Sequence, residues 1–306
     1  MVRMRVIFLG TSSAVPTLAR GLYSVALIRG SEVLLFDCGE GTQRQMLGAG
    51  LGFSKALSVF VTHMHTDHVF GLFGLLQTMS LNKRDKPVYV YGPKGIQKFI
   101  EQGLDVLQVK LSFDVEVQTI HEGVVLEKPD YLVRACQSKH SITSLSYLVE
   151  EKPRPGLFYP KKAIALGIPK GELWSTLQKG KDITIKKKKF IPSEVMGPSR
   201  PGRKIGISGD TMPSRKLKNF FTGADVLIHD STYESQHKDK ARENMHSTAH
   251  DAAIVARSAK VDLLVLNHFS ARYSDVRPLL LEAMKIHPNV RAAADLGVLD
   301  IEYRTS

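Results

Sequence analysis

The sequence predicts an α/β fold in which two β-sheets lie between layers of helices. Short apolar runs rich in β-branched and aromatic residues, such as residues 6–9, 56–61 and 261–266, are typical of buried strands. Between such runs, residues 71–81 repeat leucine and methionine at helical spacing. Alternation of strands with helices predicts a layered α/β domain. Both halves of the chain contain strands that end in polar side chains and are followed by helices, which indicates two similar sheets with a site at one edge.

The other predicted elements follow the same criteria. Apolar runs with β-type composition predict further strands, and helical periodicity predicts two more helices, one of them opening after Gly95 and one near His246. The additional strands are predicted at residues 23–28, 33–36, 87–91, 131–136, 146–149, 204–208 and 224–228.

Length and composition set bounds on the class of protein. The chain has 306 residues, of which 43% are hydrophobic and 24% charged, as in ordinary folded domains. No apolar run approaches the ~18 residues that span a bilayer, and the N-terminal apolar run is too short for a signal peptide. We therefore expect a cytoplasmic protein that does not enter a membrane. Two cysteines, Cys38 and Cys136, make no disulfide framework and are predicted to be buried thiols.

The densest group of metal-binding side chains follows the strand predicted at residues 56–61. His63, His65, Asp67 and His68 fall within six residues, in the stretch His-Met-His-Thr-Asp-His. In an extended chain His63 and His65 point the same way and can share a metal, while Asp67 and His68 must turn to another side. Burying four such groups without a metal or charge partner would be costly. The segment therefore predicts two metal ions close together.

This stretch resembles the His-x-His-x-Asp-His motif of the metallo-β-lactamase superfamily. Its continuation, Val-Phe-Gly-Leu-Phe-Gly-Leu-Leu at residues 69–76, is similar to the tRNase Z branch, which processes tRNA 3′ ends. The resemblance covers nearly the whole chain. It implies a four-layer αββα sandwich formed by a single domain, residues 1–306, with an inserted arm. It also implies an endoribonuclease that removes the 3′ trailer from precursor tRNA and leaves a 3′-hydroxyl.

The resemblance also implies the rest of the metal site. His140 and His268 each follow a predicted strand, and Asp210 lies in a Gly-Asp-Thr turn, where an aspartate is otherwise a common turn former. Seven ligands suit two Zn²⁺ ions per chain. We assign His63, His65 and His140 to one ion and Asp67, His68 and His268 to the other, with Asp210 shared. Two such ions ~3.5–4 Å apart suit in-line displacement at phosphorus and lower the pKa of a shared water toward ~7.

Catalytic and supporting roles follow from the same resemblance. Asp67 is expected to orient or deprotonate the water. His246, in a His-Ser-Thr motif typical of the tRNase Z branch, is expected to protonate or stabilise the leaving oxygen. Asp37 either braces a metal-binding histidine or caps a helix. His229 and Asp230 are predicted supporting residues, although the family usually has glutamate at position 230. His237 and His287 are predicted to lie at the surface.

Residues 152–200 differ from the rest of the chain in charge. They contain 12 Lys and Arg against 3 Asp and Glu, which gives +9 of the chain's net +12. One interpretation is a solvated loop, and the other is a basic arm that follows a phosphate backbone. Gly167, Lys170 and Gly171 belong to a segment similar to the Gly/Pro motif of the tRNase Z flexible arm, with Glu172 where proline is usual. Arg272 suits a phosphate oxygen. The resemblance implies precursor tRNA as substrate and a homodimer.

Two other classes of protein remain as alternatives. One is a different dinuclear-zinc hydrolase on the same fold, acting on a small phosphodiester or a thioester. The other is a metal-stabilised RNA-binding protein without turnover. A small substrate requires neither the basic segment nor the His-Ser-Thr motif. A purely structural zinc site would be a closed, single-metal tetrahedron, which does not need seven ligands.

Overall fold

The computed structural model describes residues 2–304, which divide into two compact units. The first unit contains residues 2–150 and 204–302, and the second contains residues 151–203 and 303–304. In chain order the strands are β1 (Met4–Gly10), β2 (Ser12–Ser13), β3 (Ser24–Arg29), β4 (Glu32–Phe36), β5 (Ala56–Phe60), β6 (Val88–Gly92), β7 (Val115–Thr119), β8 (Gly123–Glu127), β9 (Tyr131–Ser138), β10 (Ser144–Glu151), β11 (Ile183–Ile185), β12 (Lys188–Phe190), β13 (Lys204–Ile207), β14 (Val226–Asp230), β15 (Leu263–Asn267), β16 (Phe269–Ser270), β17 (Val290–Ala292) and β18 (Val298–Asp300).

The helices are short, and most of them connect neighbouring strands. In chain order they are α1 (Thr42–Gly48), α2 (Thr66–Val69), α3 (Gly71–Leu81), α4 (Ile96–Val106), α5 (Pro160–Ala165), α6 (Glu172–Gln178), α7 (Arg215–Phe220), α8 (Lys238–Glu243), α9 (Ala249–Ser258) and α10 (Arg277–Met284), with 3₁₀ turns at Pro192–Glu194 and Ser235–His237. Among residues 2–304, none of these helices combines the length and the apolar character needed to cross a bilayer.

Two seven-stranded sheets form the centre of the first unit. Their strand orders are β18-β1-β3-β4-β5-β6-β7 and β17-β15-β14-β13-β10-β9-β8. Alternate residues of β1 pack on opposite faces: Val6 and Phe8 join the core shared with Tyr147 of the second sheet, whereas Ile7 joins the helical side with Leu72 of α3. Helix α9 covers the second sheet in the same way. The arrangement is helix, sheet, sheet, helix, and it confirms the predicted fold class.

A close backbone contact sets the start of α3 beside the end of β4. A Cβ on Gly71 would lie 2.0 Å from the Gly39 carbonyl oxygen, and a Cβ on Gly39 would lie 2.5 Å from the Asp67 carbonyl oxygen. The Cys38 amide donates to the His68 carbonyl oxygen at 2.7 Å. Only glycine permits this approach. It ties the His-x-His-x-Asp-His turn to the segment that carries Asp37.

The second unit has a small core of its own. Helices α5 and α6 and the hairpin β11–β12 surround six buried residues, namely Ala163, Ile168, Leu177, Ile183, Phe190 and Val195. The interpretation of residues 152–200 as a solvated loop is therefore wrong. Their weak periodicity arises because the elements are only three to seven residues long.

Several local predictions can be compared with the structure. Helix α3 has the predicted bounds. The helix predicted near His246 is α9, which begins after Thr248, and Thr248 caps it by accepting a hydrogen bond from the Asp251 amide. Burial raises the pKa of Cys38 to about 12 and that of Cys136 to about 11, so both remain thiols. The surface assignment of His287 is wrong: its side chain is buried after α10.

Candidate metal centre

The predicted metal ligands come from segments that follow the carboxyl ends of strands. His63, His65, Asp67 and His68 follow β5, and the last two lie in the short helix α2. His140 follows β9, Asp210 follows β13 and His268 follows β15. Because such ends of neighbouring strands meet at one edge of a sheet, residues distant in sequence converge. The structure brings all seven predicted ligands together.

The first group of ligands contains three histidines and one aspartate. His63, His65, His140 and Asp210 each offer an atom within 4.8 Å of the others. The ring nitrogens His63 Nε2 and His65 Nδ1 lie 2.9 Å apart, and His140 Nε2 lies 3.3 Å from His65 Nδ1. Asp210 Oδ2 lies 3.6 Å from His63 Nε2. These distances are those of neighbouring ligands around a single cation.

The second group lies on the other side of Asp210. Asp67, His68 and His268 also offer atoms within 4.8 Å of one another. His68 Nε2 lies 3.4 Å from both Asp67 Oδ2 and Asp210 Oδ2, and His268 Nε2 lies 3.2 Å from Asp210 Oδ1. Asp210 therefore contacts members of both groups. A further overlapping group, Asp210, Asp230, His246 and His268, meets the same distance limit, so the assignment of the seven residues to two ions stays a prediction.

The hydrogen bonds of the histidines show which nitrogen faces the centre. Thr62 Oγ1 donates to Asp37 Oδ2 at 2.7 Å, so it must accept the hydrogen of His63 Nδ1, 2.9 Å away. Thr232 Oγ1 likewise donates to Asp230 Oδ1 at 2.6 Å and accepts from His268 Nδ1 at 3.0 Å. In both histidines the hydrogen is on Nδ1, and the Nε2 lone pair points into the centre.

The same tautomer follows for the other two histidines that have an outer partner. His140 Nδ1 donates to the Met245 carbonyl oxygen at 3.0 Å, and His68 Nδ1 donates to Asp37 Oδ2 at 2.8 Å. Three buried atoms that face the centre, His68 Nε2, His268 Nε2 and Asp210 Oδ1, make no hydrogen bond within residues 2–304. Unsatisfied buried acceptors are costly. Imidazole nitrogens with shared carboxylate oxygens suit zinc, so the donor set fits a pair of such ions.

Asp37 holds Thr62 and His68 in place by hydrogen bonds, and it caps no helix among the described residues. Its carboxylate accepts from the Thr62 amide at 2.6 Å, in addition to the Thr62 hydroxyl and His68 Nδ1. It is fully buried, and its φ of 59° is a left-handed conformation that aspartate tolerates. Helix α1, which follows, has Gly41 at its N-cap. Of the two interpretations of Asp37, the contacts favour the brace.

His246 and Asp230 form a pair at the wall of the site. His246 Nδ1 lies 2.9 Å from Asp230 Oδ2, which also accepts from the Thr211 amide at 3.0 Å. Burial lowers the pKa of His246, but the Asp230 carboxylate outweighs it and raises that pKa to about 9. His229, the other predicted supporting residue, belongs to none of the ligand groups; its Nδ1 instead faces the Asp230 carbonyl oxygen at 2.8 Å.

A cavity of about 640 Å³ opens over the ligands. His246, Met245 and Tyr233 line it together with the metal residues. The predicted phosphate ligand Arg272 is exposed and lies over the Tyr233 ring, 5.3 Å from its centroid. Gly167, Lys170 and Gly171 lie in the second unit, where Gly167 (φ 71°) follows α5 and Gly171 (φ 133°) precedes α6.

One side of this cavity is formed by residues that were not predicted from the sequence. Ser13 and Ala14, in the loop after β1, line it, and the Ala14 amide donates to Asp67 Oδ2 at 2.9 Å. Small residues such as Ser13 and Ala14 have no metal-binding or acid–base side chain that would mark them as part of the site. A backbone donor carries no residue-type signal, so only its spatial proximity to Asp67 reveals it.

Comparison with known proteins gives ribonuclease Z relatives that align with nearly the full chain. The chain is 49% identical to a ribonuclease Z of Nitrosopumilus maritimus, with 98% of this chain and 100% of that one aligned. It is 37% identical to a ribonuclease Z of Brevibacillus brevis over 99% and 98% of the two chains. The crystal structure of human tRNase Z, short form, has a TM-score of 0.72 at 29% identity and covers 97% of this chain and 99% of that one. A family model described as anti-Pycsar protein Apyc1 matches residues 4–152.

Proposed function

The chain belongs to the ribonuclease Z family, and from that membership and the geometry of the centre we propose that it is a zinc-dependent endoribonuclease that removes the 3′ trailer from precursor tRNA. The observation that carries the proposal is the convergence of seven ligands into two groups joined by Asp210. A centre of this kind suits hydrolysis of a phosphodiester.

The proposed reaction is attack of water on the phosphorus that follows the last tRNA nucleotide to be kept. A new P–O bond forms to the water oxygen while the bond from phosphorus to the tRNA 3′ oxygen breaks. The products are a tRNA with a 3′-hydroxyl and a trailer with a 5′-phosphate. When bound, two zinc ions supply charge stabilisation at the phosphoryl group and lower the pKa of the attacking water.

Asp67 and His246 are proposed to move the protons. Asp67 lies in the cavity wall with one oxygen held by the Ala14 amide, and we assign it to orient the water and accept its proton. His246 Nδ1 is hydrogen-bonded to Asp230, which leaves Nε2 as the ring nitrogen for a substrate in the cavity that His246 lines. We assign His246 to donate a proton to the tRNA 3′ oxygen as it leaves, since its raised pKa favours the protonated form at neutral pH.

The basic second unit is proposed to bind the phosphate backbone of the tRNA. Its lysines are mostly exposed and attract phosphate without base recognition. We assign Gly167, Lys170 and Gly171 to that contact, and we assign Arg272 to a phosphate because it lies over Tyr233, which lines the cavity. A homodimer in the cytoplasm completes the proposal, in line with the sequence-based expectation.

The test uses purified protein and a tRNA precursor with a defined trailer. We expect cleavage that stops on chelation and returns with Zn²⁺, with a 3′-hydroxyl on the tRNA product and a 5′-phosphate on the trailer. Metal analysis should give about two ions per chain. A 3′-phosphate on the tRNA product, or hydrolysis of bis(p-nitrophenyl) phosphate without any cleavage of the precursor, would contradict the proposal and favour a small-substrate hydrolase.

A further inference from the structure

One carboxylate outside the metal centre holds the loop that lies against it. Asp295 lies between β17 and β18, far along the chain from the metal-binding motifs. Its Oδ1 accepts from Thr11 Oγ1 at 2.7 Å, and its Oδ2 accepts from the Gly21 amide at 2.7 Å and from Gln45 Nε2 at 2.8 Å. Thr11 and Gly21 are the two ends of the loop between β1 and β3, and Gln45 belongs to α1. Asp295 therefore closes the base of this loop and ties it to a helix.

The closed loop reaches the metal centre through a backbone contact. The Ala14 amide donates to Asp67 Oδ2 at 2.9 Å, and Ala14 has a φ of 50°. A non-glycine residue keeps this left-handed conformation only where its surroundings impose it. The Ser12 amide donates to the Gly21 carbonyl oxygen at 2.9 Å, which adds a backbone hydrogen bond across the same loop base. The position of the Ala14 amide, and with it one oxygen of Asp67, therefore depends on the closure of the loop base.

The same loop also supports the strand segment that carries His268. The Phe269 amide donates to the Thr11 carbonyl oxygen at 2.8 Å, and β2 pairs in parallel with β16, which follows His268 directly. His268 itself has a φ of 63°, a second left-handed residue held in place by its neighbours. Two of the three residues in the second ligand group thus contact, directly or through an adjacent residue, the loop that Asp295 closes.

The first ligand group has different supports. His63 is held by Thr62, and His140 by the Met245 carbonyl oxygen. Neither contact involves the loop between β1 and β3. A disturbance at Asp295 should therefore reach one side of the centre and leave the other unchanged.

We propose that Asp295 is a positioning residue for the metal held by Asp67, His68 and His268, and that it acts by closing the loop that carries Ala14. The hydrogen bonds of Asp295 reach Thr11, Gly21 and Gln45 and none of the predicted ligands, and Asp295 does not line the cavity, so it is not a catalytic residue. The inference rests on the proposed two-metal centre but not on the identity of the RNA substrate. Metal titration therefore tests it separately from tRNA cleavage.

The experiment is a chelator competition titration of Asp295→Ala, which resolves the affinities of the two metal equivalents. Asp295→Ala should weaken one equivalent several-fold, less than the roughly 10–100-fold expected when a direct partner of a ligand is lost, and leave the other within twofold. Thr11→Val, which removes one of the three contacts, should weaken the same equivalent by a smaller factor. With precursor tRNA, kcat should fall while KM stays unchanged.

The matched control is Asp300→Ala, because Asp300 lies five residues away on β18 and pairs only with Arg3 and Arg5 at the surface in the contacts of residues 2–304. It should leave both metal affinities at the wild-type values. Unchanged metal affinities in Asp295→Ala would overturn the proposal. Equal weakening of both metal equivalents would also overturn it, because that result indicates a general loss of stability. If Asp295→Ala does not fold, the metal affinities of Thr11→Val test the proposal by the same criterion, weakening of one equivalent only.

Discussion

The metal centre of the first unit and the basic surface of the second unit use charge in opposite ways. In the centre, His63, His68 and Asp210 are buried, and the histidines have outer partners at fixed distances. In the second unit, Lys186 to Lys189 are exposed, and of these four lysines only Lys189 has an ion pair with a described residue, 2.7 Å from Asp182. Metal binding at the centre is expected to depend on the positions of individual side chains. Phosphate binding by the basic unit is expected to depend on the number of its charges.

This difference predicts how each region responds to substitution. A buried donor or acceptor that loses its partner costs the full desolvation of that group, and the ligand it holds moves with it. An exposed lysine is hydrated and flexible, so its loss subtracts one screened phosphate contact. Substitutions in the centre should therefore act on kcat and metal binding, and substitutions in the second unit on KM and its dependence on salt.

The largest effect is expected for His246→Gln. If His246 protonates the leaving 3′ oxygen, kcat on precursor tRNA should fall by about 10²–10⁴-fold. Bis(p-nitrophenyl) phosphate has a leaving group that needs no proton, so its hydrolysis should fall much less. His250→Gln, in α9 and partly exposed, is the control and should match the wild type. Equal losses on both substrates would assign His246 to metal positioning instead.

A smaller effect is expected for Asp37→Asn. Asparagine tolerates the left-handed backbone at this position, but its amide nitrogen meets the donor groups of Thr62 or His68. We expect a loss of about 10–100-fold in metal affinity, measured by chelator competition. Wild-type affinity in this variant would show that the brace contributes nothing to the site.

The smallest effect is expected at the hairpin turn of the basic unit. Lys186 and Lys187 connect β11 to β12 with φ of 46° and 66°, values for which Asn-Gly is the preferred pair. Replacing them by Asn and Gly removes two charges and suits the turn. KM for precursor tRNA should rise several-fold, and the slope of log affinity against log salt should fall in magnitude by roughly one to two.

The control for this change replaces two lysines of the first unit that also have a positive φ. Lys83 and Lys260 have φ of 57° and 54°. Replacing both by glycine subtracts the same charge and should leave KM and the salt slope unchanged. If both double variants shift KM equally, the second unit has no special part in tRNA binding and net charge alone explains the affinity.

The contrast between the two regions also explains what could be predicted from sequence. The seven predicted ligands are distinctive residue types at the ends of strands, and their resemblance to a known motif is sufficient to predict that they lie together, as the structure places them. Helix α3 and the cap of α9 have local signals in their residue types and spacing. The elements of the second unit are too short for periodicity, so their fold is not evident from the sequence.

The contacts that orient the ligands could not be predicted. The Ala14 amide and the Met245 carbonyl oxygen are backbone groups without a residue signature, and they meet Asp67 and His140 only through tertiary packing. Asp295 is one aspartate among many polar residues near the C-terminus. His287 follows the buried residues Leu279 and Ala283 at helical spacing, a local signal that its polar neighbours Lys285 and Asn289 obscure, and the packing after α10 buries it.

The most direct test of the account is X-ray diffraction from crystals of the zinc-loaded protein, with anomalous data collected above and below the zinc absorption edge. We predict two zinc peaks per chain about 3.5–4 Å apart. One should be bound by His63, His65 and His140 and the other by Asp67, His68 and His268, with Asp210 between them. A single peak, or a second peak outside these seven residues, would contradict the two-metal centre.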